Sequence, residues 1–482
     1  MTFQKRKIRP TKKPSKTVAL LKKWFAHIHE KNLHHTFGSW GIGIFIGCII
    51  LIVMGGTMYV LARNLTLTSG ILRVFGSGLE TDQYGHTNIL LLGVGGKNHE
   101  GEDLTDTIMV VSLDEKKNTV SMLSIPRDLY IDTETEEVGT NRINRVYELS
   151  KSYYEEDSSR ALNFTTKTIG DLLDIEIQYY AKVDFTAFKE IVDAMGGIDI
   201  TLEESFYDPQ YPVEETGLYT SFSLPAGLNH LDGETALKYA RSRHSTSDFD
   251  RALRQQLIIS ALKDKALSLG VLANPAKIKN IYSAVSSNIE TNFAISEILY
   301  MATIAPNFTR DTMVSSVLND DPIQKGGFLY TPDRELYNGA FVLVPFDPTW
   351  KDIQTFAQFV LIHPEYAQTN ATIHIQNGTK NEGLALDLLY FLTRYGFNVE
   401  RYGNAGSKDL TETTLHPANV SLSTAGESSE KIRTTMWGIQ TLLPVIIMEE
   451  PSATQATTDT DLILEIGEDF LEFYKQNSAR FY

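Results

Sequence analysis

The 482-residue sequence predicts a mixed α/β fold, with a central sheet flanked by helices, preceded by one transmembrane helix and followed by a small α/β domain. Three observations lead to this prediction. The segment 38–62 carries no charged residue, the segment 87–363 alternates short apolar runs with helical patterns, and the composition changes again at 364–370. Alternation of apolar runs and helical patterns is typical of a sheet covered by helices.

The uncharged segment 38–62 is long enough to span a membrane, because about 20 apolar residues carry a helix across the hydrocarbon core. The preceding segment, 1–37, has ten basic residues and one acid, Glu30. Basic flanks stay in the cytoplasm, so we predict a single-pass protein of the cell membrane. Its N-terminal tail would be cytoplasmic and attracted to anionic lipid, and its C-terminal domains extracytoplasmic. We interpret 63–86 as a linker.

The segment 87–363 is predicted to be the catalytic domain. Its short runs of β-branched and apolar residues predict strands, and its amphipathic stretches predict helices. The predicted strands are 87–93, 107–113, 119–126, 178–183 and 198–202, and the predicted helices are 162–173, 185–195 and a long one that begins at Ser247 or Asp248 and runs to about residue 269.

The segment 370–470 is predicted to be the small α/β domain, with a tail over 471–482. Its pattern predicts strands over 372–376, 399–402 and 462–466, and helices over 382–395 and about 430–443. All candidate phosphate ligands precede this segment. We therefore expect it to fold independently and to be dispensable for ligand binding.

Charge and cysteine content exclude several classes of protein. The formal net charge of −16 argues against a nucleic-acid-binding protein. The single cysteine, Cys48, excludes internal disulfides and any metal site with several cysteine ligands.

A glycine-rich loop, residues 93–106, joins the first two predicted strands. Its glycines permit backbone N–H groups to converge on an anion, although an ordinary long connection is an alternative. The loop is not a Rossmann or P-loop fingerprint, because the glycines of those motifs open a helix and this loop leads into a strand. Asp106, at the mouth of that strand, could bind Mg²⁺, a hard cation that prefers oxygen.

Arg127 follows the third predicted strand. Pro126 lacks the N–H that would extend the ladder, so Arg127 should project from the strand end. Open α/β sheets usually bind ligands at that edge. A surface pair with Asp128 is the alternative.

A second group of arginines lies in the segment 239–256. Arg241 and Arg243 would point to the same side of an extended segment. Three further side chains recur at helical spacing and form one stripe, namely Arg251, Arg254 and Gln255. Guanidinium groups match phosphate oxygens in a bidentate way, so this group predicts a pyrophosphate site. The alternative is a solvated helix face whose arginines pair with neighbouring acids.

In this order, several motifs resemble the LytR-CpsA-Psr family: NILLLG, LTDTIMVVSL, SIPRDLY, RINRVY, VDFTAFKEIVDAMGGIDI, AGLNHLDGETALKYARSR and DFDRALRQQ. The resemblance covers roughly residues 85–305 and continues weakly to about 363. The stretch 371–403 further resembles the LytR C-terminal domain that is often appended to this family.

The resemblance implies a phosphotransferase that moves a glycan polymer, such as a teichoic acid or a capsule, from a polyprenyl-pyrophosphate lipid onto peptidoglycan through a phosphodiester bond. It implies arginines that hold the pyrophosphate and a carboxylate pair that holds Mg²⁺ (or Mn²⁺). By motif match, the catalytic residues are Asp106 and Arg127, Asp106 is also a metal ligand, and the pyrophosphate-binding residues are Arg127, Arg241, Arg243, Arg251 and Gln255. Asp103 is the second predicted metal ligand, as a substitute from the loop and not by motif match.

One departure from the family pattern concerns the metal site. Family members usually carry an aspartate directly after the first strand, where this chain has Gly95. Asp103, Glu102 or His99 would replace it from the loop, or the metal would be held through water and phosphate. Two other functions are compatible with the sequence: hydrolysis of the pyrophosphate lipid, and lipid binding by a non-catalytic regulator of the envelope.

Overall fold

The computed structural model describes residues 78–97, 99, 101–213, 218–242, 248–268, 288–309, 312–419, 421–422, 426–451 and 459–481. The predicted cytoplasmic tail, the predicted transmembrane helix and Arg243 lie outside these ranges. Within the ranges, no helix is both long and apolar enough to cross a bilayer. The membrane span therefore stays a prediction.

The strands up to residue 345 are β1 (Thr87–Val94), β2 (Thr105–Asp114), β3 (Thr119–Ile125), β4 (Tyr130–Asp132), β5 (Thr140–Arg142), β6 (Tyr179–Asp184), β7 (Ile198–Leu202), β8 (Phe206–Val213), β9 (Leu218–Leu224), β10 (Gly227–Leu231), β11 (Ile289–Thr291), β12 (Met313–Val317), β13 (Leu329–Tyr330) and β14 (Val344–Pro345). The helices up to residue 368 are α1 (Val146–Tyr153), α2 (Ser158–Leu173), α3 (Phe185–Ala194), α4 (Gly233–Arg241), α5 (Asp248–Ser268), α6 (Ile295–Ile304), α7 (Lys351–Leu361) and α8 (Glu365–Gln368).

These bounds confirm the predicted mixed α/β fold. A six-stranded sheet has the order β11-β6-β1-β2-β3-β12. Strand β1 runs parallel to β6 and antiparallel to β2, and β2 runs antiparallel to β3. The C-terminal ends of β1, β3 and β6 and the N-terminal end of β2 therefore share one edge of the sheet. We call it the ligand edge.

Aspartates cap α3, which follows β6 at this edge, and α4, which follows β10 of a separate two-stranded sheet. Asp184 accepts a hydrogen bond from the backbone N–H of Ala187 and caps α3, and Asp232 accepts one from Thr235 and caps α4. A side-chain oxygen in this position satisfies a donor that has no partner within the helix. The caps fix where each helix begins, and so fix the residues in its first turn.

The prediction that Arg241 lies in an extended segment is wrong. Arg241 is the last residue of α4, and the chain becomes extended only at Ser242. The cap at Asp232 starts the helix, and its apolar residues Ala236 and Ala240 face β7, β10 and α5 in a shared core cluster. Burial of that face decides the local conformation, because amphipathic packing supplies most of the stability of a helix.

The segment from residue 370 onward, which we call the C-terminal region, contains a five-stranded sheet of order β16-β15-β19-β17-β18. Its strands are β15 (Thr372–Asn377), β16 (Asn398–Asn404), β17 (Thr414–Pro417), β18 (Ile446–Ile447) and β19 (Leu462–Ile466), and its helices are α9 (Leu384–Tyr395), α10 (Glu427–Leu442) and α11 (Phe470–Gln476). The strands and helices predicted for this region are all present, and their ends differ from the predicted ends by three residues or fewer.

One apolar core joins the C-terminal region to the residues that precede it. Leu90 of the central sheet, Phe356 of α7, Phe391 of α9 and Phe481 belong to the same cluster of buried residues. The described residues from 78 onward form a single compact unit. The expectation that the segment from residue 370 onward folds independently is not supported by this shared core.

A buried polar contact crosses the same junction. Asp352, on α7, accepts hydrogen bonds of 2.7 Å from Nε of Arg480 and from the hydroxyl of Tyr395. Burial, together with the charge of Asp352, raises the pKa of Tyr395 well above its usual value. The contact satisfies a carboxylate that is 3% exposed and would otherwise be costly to bury.

Candidate active site

Asp106 and Arg127 meet at the ligand edge. Asp106 is the second residue of β2, and Arg127 lies two residues after β3 ends. The antiparallel register, in which Ile108 pairs with Ile125, brings these two positions together. Nη1 of Arg127 donates to Oδ1 of Asp106 at 2.7 Å, and both side chains are half-buried. Nε of Arg127 also lies 3.4 Å from a carboxylate oxygen of Asp128, so the alternative pair is present as well, although Asp128 is buried and not at the surface.

Helix α5 brings Arg251 to the same edge. Arg251 is 6% exposed, and its Nη2 donates to the backbone carbonyl of Asp106 at 3.2 Å. Gln255, one turn further on, is half-buried, and its Nε2 donates to the carbonyl of Ala240 near the end of α4 at 3.5 Å. The first turns of α5 therefore lie against both the sheet edge and the C-terminus of α4.

Arg241 lies on an aromatic surface. Its guanidinium carbon is 4.2 Å from the ring centroid of Phe185, the first residue of α3. The guanidinium also donates to the hydroxyl of Tyr211 at 3.4 Å and to Nε2 of His99 at 3.3 Å. Stacking on an aromatic face fixes a guanidinium while leaving its N–H groups directed outward. Sequence reasoning did not single out Phe185 or Tyr211.

Arg254 has a different role from Arg251, the other arginine of its stripe. It is buried, and its guanidinium donates to the backbone carbonyls of Tyr239, at 3.0 Å, and Ser242. These carbonyls belong to the last turn of α4 and its end, where a helix lacks internal donors. Arg254 therefore joins α5 to α4.

The glycine-rich loop folds back on itself at Gly95. A Cβ atom added at Gly95 would lie 2.5 Å from Nδ1 of His99, so the imidazole fills the space that a side chain at position 95 would need. The next residue, Gly96, has a φ of 81°, which favours glycine. Its N–H donates to the carbonyl of Glu102 at 3.0 Å, and its carbonyl accepts from the N–H of His99 at 3.2 Å. These bonds hold the half-buried His99 in place.

Asp103, the second predicted metal ligand, forms an ion pair with Lys151 at 2.6 Å. Burial alone would lower the pKa of Lys151, but the hydrogen bond and the charge of Asp103 raise it above its usual value. Within the ranges that the structure describes, no three His, Cys, Asp or Glu side chains are grouped closely enough to hold a metal ion. The two candidate carboxylates are paired with basic side chains, Asp106 with Arg127 and Asp103 with Lys151. They do not form a complete metal site from protein ligands alone.

Comparison with known proteins agrees with the family resemblance of the sequence motifs. Residues 73–339 match the model of the LytR_cpsA_psr family, and residues 370–470 match a second model described as LytR cell envelope-related transcriptional attenuator. The first match alone covers more than half of the chain.

Relatives named for cell-wall functions are similar to this chain. It is 31% identical, over 59% of its own length and 66% of the relative's, to the polyisoprenyl-teichoic acid–peptidoglycan teichoic acid transferase TagV of Bacillus subtilis. It is 26% identical, over 77% of each protein, to the cell wall biosynthesis protein LcpA of Corynebacterium glutamicum. The crystal structure of B. subtilis TagV is 29% identical with a TM-score of 0.43, covering 57% of this chain and 97% of that one. By the extent of the family match, the chain belongs to the LytR_cpsA_psr family.

Proposed function

We propose that this protein is a membrane-anchored phosphotransferase that moves a glycan polymer from a polyprenyl-pyrophosphate lipid onto peptidoglycan through a phosphodiester bond. Membership of the family and the name of the relative TagV support the reaction class. The observation that carries the proposal is the ligand edge itself, where Arg127 and Arg251 contact Asp106 and Arg241 stacks beside the loop.

The geometry suggests what each side chain does in this reaction. The acceptor hydroxyl attacks the phosphorus that carries the glycan, a P–O bond to the acceptor forms, and the P–O–P bond breaks to release polyprenyl phosphate. Arg127, Arg241 and Arg251 neutralise charge on the pyrophosphate. Asp106, held by Arg127, is the carboxylate that takes the proton of the acceptor hydroxyl. Gln255 and Arg243 remain predicted pyrophosphate ligands.

The lipid substrate and the basic tail support a location at the membrane. A polyprenyl pyrophosphate is confined to the bilayer, and peptidoglycan lies outside the cytoplasm. With residues 1–37 in the cytoplasm and 38–62 in the membrane, the ligand edge would face both substrates. This function does not require nucleic-acid binding, and the net charge of −16 agrees with that.

Incubation of the purified full-length chain with a glycan linked to polyprenyl pyrophosphate, with and without peptidoglycan, tests the proposal. We expect glycan to become covalently attached to peptidoglycan, and the Asp106→Asn variant to bind the lipid without transferring it. Release of free glycan phosphate without an acceptor would instead indicate a hydrolase. Lipid binding without turnover in the wild type would indicate a regulator.

We further propose that Mg²⁺ (or Mn²⁺) binds weakly to the free protein and more tightly once a pyrophosphate supplies oxygens. Mg²⁺ is commonly held by one or two carboxylates together with substrate phosphates. The coupling should be reciprocal, so Mg²⁺ should strengthen pyrophosphate binding by the same factor. Calorimetric titration of Mg²⁺ into wild type, Asp106→Asn and Asp103→Asn, with and without inorganic pyrophosphate, measures both effects.

The structure also decides which variant can restore an aspartate at position 95. Gly95→Asp alone would place its Cβ 2.5 Å from Nδ1 and 2.9 Å from Cβ of His99, so it should be combined with His99→Gly, which removes both atoms. We expect the double variant to bind Mg²⁺ more tightly than His99→Gly in the free protein. Tight binding of Mg²⁺ to free wild type that survives Asp106→Asn would contradict the proposed site.

A further inference from the structure

We infer that a partly exposed aromatic surface beside the candidate site binds the glycan strand of the peptidoglycan acceptor. We call this surface the aromatic face, and it consists of Tyr130, Tyr330, Tyr337 and Phe346. The inference rests on the proposed function, because it names where the acceptor of that reaction would lie. It is carried by the register of four short strands, by ring contacts on their outer side and by a chain of ion pairs that leads to Asp106.

The strands β4, β5, β13 and β14 carry the aromatic face. Strand β4 pairs with β5, and β13 pairs with β14. A bridge joins the two pairs, since the N–H of Leu343 donates to the carbonyl of Asp128 at 2.9 Å and the N–H of Tyr130 donates to the carbonyl of Leu343 at 2.8 Å. Leu129 and Leu343 lie opposite each other at this bridge, and both are buried. Side chains alternate along a strand, so the next residues, Tyr130 and Val344, point to the outer side.

The register extends this outer side across all four strands. Tyr330 lies opposite Val344, and Arg142 lies opposite Tyr130. Directly opposed residues share one side of a sheet. The outer side therefore carries a row in the order Arg142, Tyr130, Val344 and Tyr330. Tyr130 and Tyr330 are two strand spacings apart, roughly 9–10 Å, which is comparable to the length of a disaccharide.

Ring contacts hold both tyrosines of the row in place. The ring of Tyr130 meets that of Tyr337 edge-on, with centroids 4.9 Å apart and an interplanar angle of 85°. Tyr330 stacks on Phe346 at 5.2 Å with an interplanar angle of 26°, and it is still 40% exposed. Rigid aromatic side chains supply contact area at low entropic cost. The C–H groups of a sugar ring form an apolar face that packs on such rings, and tyrosine hydroxyls can bond to sugar hydroxyls.

The row leads directly to the candidate site. Arg142, at its end, donates to Asp128 at 2.9 Å. Asp128 lies 3.4 Å from Nε of Arg127, and Arg127 donates to Asp106 at 2.7 Å. The aromatic face is therefore connected to the carboxylate that takes the acceptor proton in the proposed reaction. A sugar chain on this face would approach the site from the acceptor's side.

Nearby charge favours a neutral sugar chain over other occupants. The loop that joins β4 to β5 carries four acids and no base between residues 132 and 137, namely Asp132, Glu134, Glu136 and Glu137. An acidic loop opposes a polyanionic glycan such as a teichoic acid, and it opposes anionic lipid headgroups as well. The sugar backbone of peptidoglycan carries no such run of negative charge. The aromatic face thus fits the acceptor and not the donor.

Cosedimentation of the purified full-length chain, in detergent, with peptidoglycan stripped of attached polymers tests the inference. Tyr330→Ala and Tyr130→Ala should each bind about 5–30-fold more weakly than wild type, as truncation of a central interface tyrosine does. Tyr330→Phe keeps the ring and should retain most of the affinity. Tyr84→Ala is the matched control, because Tyr84 is 50% exposed and precedes β1 at the edge opposite to the ligand edge. It should bind peptidoglycan as wild type does.

Hydrogen exchange of the wild type gives a second measurement that does not depend on the folding of variants. With soluble peptidoglycan oligomers, we expect slower exchange over residues 128–132 and 329–346. Three results would overturn the inference: no binding of peptidoglycan by the wild type, unchanged exchange in these segments, or equal binding by wild type, Tyr330→Ala and Tyr130→Ala.

Transfer assays separate this inference from the proposed function. Tyr330→Ala should raise the KM for soluble peptidoglycan oligomers with little change in kcat, because the contact is made equally in the ground state and the transition state. Its affinity for farnesyl pyrophosphate and for the glycan-bearing lipid should not change, and weaker binding of the glycan-bearing lipid alone would assign the face to the donor and overturn the inference. If wild type transfers glycan and the variants bind peptidoglycan normally, the inference fails and the proposed function stands. If wild type transfers none, the proposed function fails, while the binding measurements still decide whether the face holds a glycan strand.

Discussion

Arg241→Ala is expected to lower glycan transfer about 10–150-fold, because loss of a hydrogen bond to a charged group costs on the order of 1.5–3 kcal/mol. Arg241 is half-buried at the end of α4, and its contacts there include Tyr211, Phe185 and His99. Its loss removes no group from the apolar core, so the unfolding temperature should change little. Initial transfer rates at fixed lipid concentration, paired with thermal melts, measure both quantities.

Two variants serve as controls for this effect. Arg241→Lys keeps the charge but loses the planar fork, so its transfer rate should fall between those of wild type and alanine. Lys238 lies on the same helix and pairs only loosely with Glu234, at 3.5 Å. Lys238→Ala should transfer glycan at the wild-type rate. Near-wild-type transfer by Arg241→Ala would move the pyrophosphate site away from α4.

Arg480→Met is expected to destabilise the protein by about 3–5 kcal/mol, because it leaves a buried carboxylate without its charged partner. The partner is Asp352, whose carboxylate accepts from Arg480 at 2.7 Å deep in the core. Since that core is shared, the C-terminal region and the residues that precede it should unfold in a single transition. Urea unfolding followed by tryptophan fluorescence and by circular dichroism measures the loss and tests whether the two signals coincide.

A surface ion pair provides the matched control. Arg401 and Asp459 are 3.5 Å apart and largely exposed, so Arg401→Ala should cost less than about 1 kcal/mol. A chain truncated after residue 363 should fail to fold, since it leaves Asp352 unpaired and the face of α7 uncovered. A stable truncated chain that binds pyrophosphate would show that the C-terminal region is dispensable.

Much of the fold could be predicted because its strands carry their own signal. The runs that form β1, β2 and β3 are apolar enough to identify a buried strand from the sequence alone. The meeting of Asp106 and Arg127 also follows from sequence, since each stands at the end of a strand and antiparallel neighbours bring such ends together.

The rest of the site depends on contacts that no local pattern contains. His99 and Arg241 are separated by 142 residues, and Tyr211 reaches Arg241 from the hairpin β8–β9. Arg254 shows a second limit. Helical spacing placed it on one face with Arg251, but spacing cannot say that this face meets the carbonyls at the end of α4 rather than a ligand.

The contact between Asp352 and Arg480 also determines when the protein can finish folding during synthesis. The two residues are 128 positions apart. At typical elongation rates, Asp352 leaves the ribosome roughly 6–25 s before Arg480 does. During that interval the apolar face of α7 and its carboxylate have no native cover, and collapsed intermediates of this kind tend to aggregate. The nascent chain should therefore depend on chaperones until Arg480 has emerged.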